Sequence, residues 1–278
     1  MITRQAIPHL LTRIDSILPS TVPPPTRYLL PLLSSTTLGH GSLFLPSCLS
    51  LAYRDLPPTP HPIPPEPFDP TKDETLHPRR FVSRLIRESL VKSSILIGVP
   101  KSIETLLDFS ELVPEGDRTQ SFVREGLQGR NSNFAERSQA GREGLGTVYQ
   151  GNIDDIFEKF RYGGLDDVRF FSEHITYGQF LTPFPSTSTS PSPDPFSSDP
   201  KLLSLLTLSC LIPQQTPREI HWHLRGALRR GWKRREVEAV QSAVEIVCES
   251  LGVRLREGIP RVRDVERQIE EEGQEKET

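Results

Sequence analysis

The sequence predicts an all-helical protein arranged as antiparallel neighbours. Two observations carry this: apolar residues recur at three- to four-residue spacing in several long segments, and prolines and glycines stand where such helices would begin and end. A third is the run 202–251, which reads as three consecutive helices with short connections. The nearly unbroken apolar stretch 202–212 is expected to be buried and to stop at Pro213. Thr216, Pro217 and Glu219 form a capping-box pattern that starts the second helix, which runs to Gly231. The third helix carries Val237, Val240, Val244, Val247 and Leu251 on one face until Gly252 caps it.

The rest of the chain is placed around this run. Residues 5–18 form a short amphipathic helix with Ile7, Leu10, Leu11, Ile14 and Leu18 on one face, and Pro23-Pro24-Pro25 separates it from the next apolar segment. Residues 42–53 read as a buried helix with Pro46 in its first turn. Their pattern parallels 205–219, with Cys48 matching Cys210, as an old internal duplication would leave it. Residues 55–70 hold eight prolines in sixteen positions and make an extended connector, either a surface linker or a ligand for a proline-recognising module.

Residues 77–97 give an amphipathic helix with Val82, Leu85, Ile86, Leu90 and Ile97 inward and Arg80, Arg84, Arg87 and Glu88 outward. Gly98-Val99-Pro100 ends it, and a helix over 101–112 comes next, with Ser102 as cap and Ile103, Leu106 and Leu107 as its inner face. Residues 114–133 are a loop, and 134–161 two helices broken at Gln150-Gly151-Asn152. Gly141, Gly144, Gly146 and Gly151 suit close helix packing and make no phosphate loop, since no strand precedes them. Residues 166–181 form another helix, with Val168, Phe171, Ile175 and Tyr177 or Phe180 inward. The segment 183–200, with six prolines and six serines, is expected to be an exposed insertion, carrying Ser190-Pro191 and Ser192-Pro193 as phosphorylation sites or as plain solvated loop.

The chain thus divides into N-terminal helices (1–54), a linker (55–70), a first helical half (71–182), the insertion (183–200), a second half (201–253) and a charged tail (254–278). The order His223, Ala227, Gly231, Glu236, Val237 resembles the signature of the carboxymuconolactone decarboxylase and alkyl hydroperoxidase D-like family. The phrases KSSILIGVPKSIETLLDFSEL, the Gly-Leu-x-x-x-Tyr-x-Gly-Asn of 144–152 and EHITYGQFL are similar to other segments of that family, so the resemblance covers roughly 77–112 and 140–252. It implies an alkyl hydroperoxidase D-like helical bundle, with two related halves, and a homo-oligomer, trimer or hexamer. It also implies thiol peroxidase chemistry from a Cys-x-x-Cys, but those two positions are Thr216 and Glu219 here.

His223 occupies the position that the family uses for proton transfer, and Glu219 lies one turn earlier on the same face, where it can orient the imidazole. Helix packing by His223 and capping by Glu219 are the structural alternatives. Cys210 is the remaining thiol near that helix, but its apolar surroundings are the kind that raise a thiol pKa. His174 and Tyr177, at i and i+3, either line the same pocket or simply pack. Trp222 and Trp232 read as core or subunit contacts. The expectation is a divergent family member without the redox pair, binding a small molecule or acting as a scaffold. The alternative is an enzyme, with His223 as acid/base in decarboxylase or lactone chemistry, or a peroxide reductase with an unconventional cysteine.

Composition narrows the partners. The net charge of −3 and pI near 6.2 give no reason to expect nucleic-acid binding, and the basic run Arg225 to Arg235 is followed at once by Glu236 and Glu238. No segment offers the roughly 20 apolar residues of a membrane span. Three isolated cysteines suit free buried thiols in a reducing compartment. His221 and His223 complete no metal site, and no cofactor is expected. The cytoplasm is the default location, with the mitochondrion as the alternative because the N-terminus is weakly amphipathic and carries arginines before its first acid.

Overall fold

The computed structural model describes residues 2–58, 77–119, 123–124, 127, 133–150, 152–184, 194–197 and 199–265, and among these every regular element is helical. The connector from residue 59 on, the Ser-Pro steps at 190–193 and the tail from 266 lie outside the described residues. The helices are α1 (Ile7–Ile17), α2 (Thr26–Thr37), α3 (Gly41–Tyr53), α4 (Pro78–Ile97), α5 (Val99–Leu112), α6 (Phe134–Tyr149) and α7 (Asn152–Tyr162). Then come α8 (Asp166–Phe170), running on as a π-helix (Phe171–Leu181), followed by α9 (Leu202–Gln214), α10 (Pro217–Arg229) and α11 (Arg234–Ser250). No helix among the described residues is long and apolar enough to cross a membrane.

The centre of the bundle is α2, which packs against α1, α3, α4, α5, α9 and α11. Periodicity does not announce it. All of TRYLLPLLSSTT except Arg27 is buried, so the segment has no polar face to give it a period, and Pro31 reads as a break. The hydroxyls of its last turn bond back to its own carbonyls, Ser35 Oγ to Leu32 O at 2.9 Å, Thr36 Oγ1 to Leu32 O at 2.8 Å and Thr37 Oγ1 to Leu33 O at 2.8 Å, which lets them lie in the core. The two helices whose sequences echo each other, α3 and α9, both lie against it.

The run 202–251 folds as three helices, with two corrections. Pro213 does not stop α9, which continues to Gln214 and ends at Gln215 in the left-handed conformation (φ 54°). Burial of the whole helix outweighs one missing backbone bond. The capping box at Thr216 does not form: the threonine hydroxyl donates to Leu211 O at 3.4 Å, and Glu219 is engaged elsewhere. One arm of such a box appears at α11, where the Lys233 N–H donates to Glu236 Oε2 at 2.8 Å. Gly231 (φ 86°) and Gly252 (φ 77°) end α10 and α11 as expected.

Two faces are turned the other way from the periodicity. In α5 the inner side is Ser102, Thr105 and Phe109, while Val99, Ile103 and Leu107 are exposed. Small residues are required inside because α5 crosses the glycine start of α3, where any Cβ on Gly41 would collide with the Thr105 and Thr36 hydroxyls. In α4 the supposedly outward stripe Arg80, Arg84 and Glu88 is buried, together with Lys92.

The Lys92 end of that stripe is covered by the supposed insertion, of which Phe184, Asp194, Pro195 and Phe196 are buried. Lys92 Nζ, wholly buried, meets Asp194 Oδ2 at 2.7 Å, Phe180 O at 2.5 Å and Glu88 Oε1 at 3.5 Å. Arg124 closes the cluster with a forked pair to Glu88 at 2.7 and 3.2 Å.

Candidate functional site

Among the described residues, a cavity of about 270 Å³ opens between α4, α6, α7, α9, α10 and the π-helix. Ile95 and Leu96 come from the end of α4, Leu145 and Tyr149 from α6, and Ile153, Ile156, Phe157 and Phe160 from α7. The π-helix contributes Phe171, Ser172, Thr176, Tyr177 and Leu181, α9 contributes Leu211, and α10 contributes Glu219, Trp222 and His223.

Local structure explains how these side chains meet. Gly226 lets α10 rest on α6, since a Cβ there would stand 3.0 Å from Val148; one turn back, Trp222 and His223 then lie over Tyr149. Tyr149 is the hub of the polar end. Its ring centroid is 5.2 Å from Trp222, 6.3 Å from His223 and 6.5 Å from Tyr177, and its hydroxyl donates to Glu219 Oε2 at 3.4 Å.

The opposite wall is held by an uncommon element. A π-helix makes i→i+5 bonds, as in Thr182 N to Tyr177 O at 2.9 Å, and long ones are rare because the wide turn packs its own backbone poorly. Here cations take up the carbonyls at its C-terminal end: Arg137 binds Gly178, Thr182 and Pro183 O, Arg124 binds Gln179 O, and Lys92 binds Phe180 O. Tyr177, one of the expected inward residues, and Leu181 are buried, while Val168 and Phe171 are about half exposed, against the expected stripe.

The structure therefore brings His223, Glu219 and Tyr177 of the sequence candidates to one cavity and leaves the other two out. Cys210 is fully buried beside the Thr37 side chain of α2, and its thiol is pushed up to about 12 by burial. It is its neighbour Leu211 that lines the cavity. His174 lies outside the lining, tilted against Phe170 (4.8 Å) and stacked on Phe134 (6.5 Å). Trp222, expected as packing, is in the wall, whereas Trp232 is core and donates to Lys201 O. Tyr149 was legible only as the tyrosine of the 144–152 phrase. The basic run is no shared patch: Arg225 is buried, Arg229 binds Val148 O and Arg234 pairs with Glu238. Among the described residues no group of His, Cys, Asp or Glu is placed to hold a metal ion.

Burial shapes the electrostatics. The His223 imidazole is pushed down to about 3, by desolvation first and the Arg230 guanidinium second, so it is neutral at physiological pH. Glu219 is shifted the other way, its carboxyl raised by burial against the opposing effects of Tyr149 and Arg218. Neither His223 nitrogen makes a hydrogen bond among the described residues, and the buried Tyr177 hydroxyl has no bond of standard geometry, although the Tyr149 phenol lies near it.

Stability should therefore depend on pH. The unfolded chain protonates this histidine near pH 6.5 while the folded one does not, so the His223 contribution is complete above about 6.5 and is lost as pH falls toward 3. Glu219 has the opposite sign: its contribution is lost as pH rises through its raised folded value. The expected result is a decline of up to about 1.4 kcal/mol per pH unit below 6.5 that His223→Gln removes, read from denaturant unfolding at each pH. Equal slopes for the two proteins would show that His223 is solvated.

Protein-family models, curated proteins and solved structures were all compared with the chain, and none matches it.

Proposed function

We propose that the protein binds an apolar small molecule in this cavity, as a divergent carboxymuconolactone decarboxylase-like scaffold without the thiol redox pair. One observation carries the reading. The cavity is walled by aliphatic and aromatic side chains, and at one end the His223 imidazole converges with the buried Tyr177 hydroxyl, which has no bond of standard geometry; a few convergent polar groups in an apolar wall mark a ligand site.

Binding is favoured over catalysis by the same electrostatics. A histidine whose conjugate acid has a pKa near 3 is too weak a base for proton abstraction at neutral pH, so the acid/base alternative falls on Glu219, whose carboxyl is raised toward the useful range. A buried thiol at about 12 supplies no thiolate for peroxide reduction.

Ethylbenzene tests the reading in calorimetric and tryptophan-fluorescence titrations. Saturable heat is expected, with an emission change that Trp222→Phe abolishes and Trp232→Phe leaves intact. Ser172→Phe, which narrows the half-buried wall, should weaken binding at least about tenfold. Binding that ignores Ser172→Phe and reports equally from both tryptophans would place the ligand elsewhere.

A further inference from the structure

The walls of the cavity say which ligand chemistry it accepts. Among the described residues no lysine or arginine lines it. The Arg230 guanidinium lies behind His223 and Tyr177, bonded only weakly to Ser204 Oγ at 3.5 Å. An organic anion would find no cation in the wall and would face the Glu219 carboxyl. An organic cation would have the Arg230 field behind it and mostly aliphatic and phenyl surface around it, where desolvation is costly.

What the polar end does offer is uncharged hydrogen bonding. A neutral imidazole has one donor and one acceptor nitrogen, and a phenol hydroxyl is both donor and acceptor. The Tyr149 hydroxyl is already given to Glu219 and lies near that of Tyr177, so the capacity left for a ligand is that of His223 and what remains on Tyr177, whose rings stand 6.3 and 6.5 Å from Tyr149 between centroids. One hydroxyl group can serve both, giving its proton to one and accepting from the other.

Resting on the cavity as the binding site, we propose that its ligand is a neutral hydroxylated ring, a phenol or ring alcohol, whose hydroxyl bridges Tyr177 and His223 while the ring lies against Trp222 and Phe157. The size fits. A cavity of about 150 Å³ accommodates benzene, and one of about 270 Å³ accommodates an alkyl-substituted or bicyclic ring. The protonation behaviour agrees, because burial keeps His223 neutral at physiological pH and raises the Glu219 carboxyl, both in the direction that disfavours charge.

The experiment compares four molecules of one shape on the full chain at neutral pH by calorimetry: 4-ethylphenol, ethylbenzene, 4-ethylbenzoate and 4-ethylbenzylamine. Expected are 4-ethylphenol about tenfold tighter than ethylbenzene, the worth of one well-made buried hydrogen bond, and both charged members weaker than ethylbenzene. Tyr177→Phe should bring 4-ethylphenol down to the level at which the same variant binds ethylbenzene, with circular dichroism showing that the variant is folded; a roughly tenfold preference for 4-ethylphenol kept by the folded variant would remove Tyr177 from the contact and overturn the bridge. Equal binding of 4-ethylphenol and ethylbenzene, or tightest binding of the benzoate or the amine, would overturn the ligand class and leave the binding site standing. Failure of all four to bind would overturn both.

Discussion

Lys92→Met is expected to cost about 3–5 kcal/mol of stability, because it leaves two carboxylates, Glu88 and Asp194, in the interior without the ammonium they share. At about 2–4 °C per kcal/mol for a protein of this size class, the thermal midpoint should fall by roughly 6–20 °C. The ammonium has three protons and three acceptors, on Asp194, Phe180 and Glu88, so no water is needed to complete it. Asp194→Asn should cost less. It removes one charge and keeps an oxygen for one of the two backbone N–H groups that reach Asp194, Phe196 on Oδ1 at 2.9 Å, while Phe184, on Oδ2 at 3.2 Å, loses its acceptor. The double variant should be more stable than Lys92→Met alone, since it removes the stranded charge; thermal and denaturant unfolding followed by circular dichroism give the cycle. A loss below about 1 kcal/mol for Lys92→Met would mean that water reaches Asp194 and that the segment at 194–197 is not packed over α4.

The second large effect is expected at Gly141, where α6 crosses the π-helix. A Cβ here would collide with Glu173 O and stand 2.5 Å from Gly178 N and 2.7 Å from Gly178 Cα, all of it backbone that no rotamer change can move. Gly141→Ala must push the two helices apart. The expected cost is about 3 kcal/mol, the upper part of the overpacking range, and with it a weaker cavity site, because Tyr177 precedes Gly178 on the element displaced. Gly146→Ala on the same helix is the control: a Cβ there meets nothing within 4 Å, and relief of the glycine backbone entropy should stabilise by about 0.5–1 kcal/mol. Equal unfolding midpoints in guanidinium chloride for the two variants would show that the α6 crossing is looser than these backbone distances require.

The candidate site was half legible. His223 stands out through the resemblance, at the position that the family uses for proton transfer, Glu219 because it lies one turn earlier on the same face, and Tyr177 because it follows His174 in a polar pair. Tyr149 and Trp222 were not singled out, since nothing in a tyrosine ending one helix or a tryptophan beside a histidine says that two distant helices touch at Gly226 and Val148. Cys210 and Leu211 are neighbours in a segment apolar on every side, and only packing decides that the leucine, not the thiol, lines the cavity.

The sequence by itself determined the helical class and the extent of most helices, because spacing, prolines and capping glycines are local and act on the few residues around them. The tertiary structure alone decided which face of a helix is inside. Lys92 and its stripe look like a solvated edge until Asp194, about a hundred residues later, covers them; Ile103 and Leu107 look like a core face until the α3 crossing demands small residues instead. Periodicity records that a helix has two faces. Which one is covered depends on partners that arrive from far along the chain, and those contacts also fixed the π-helix register and assembled the cavity.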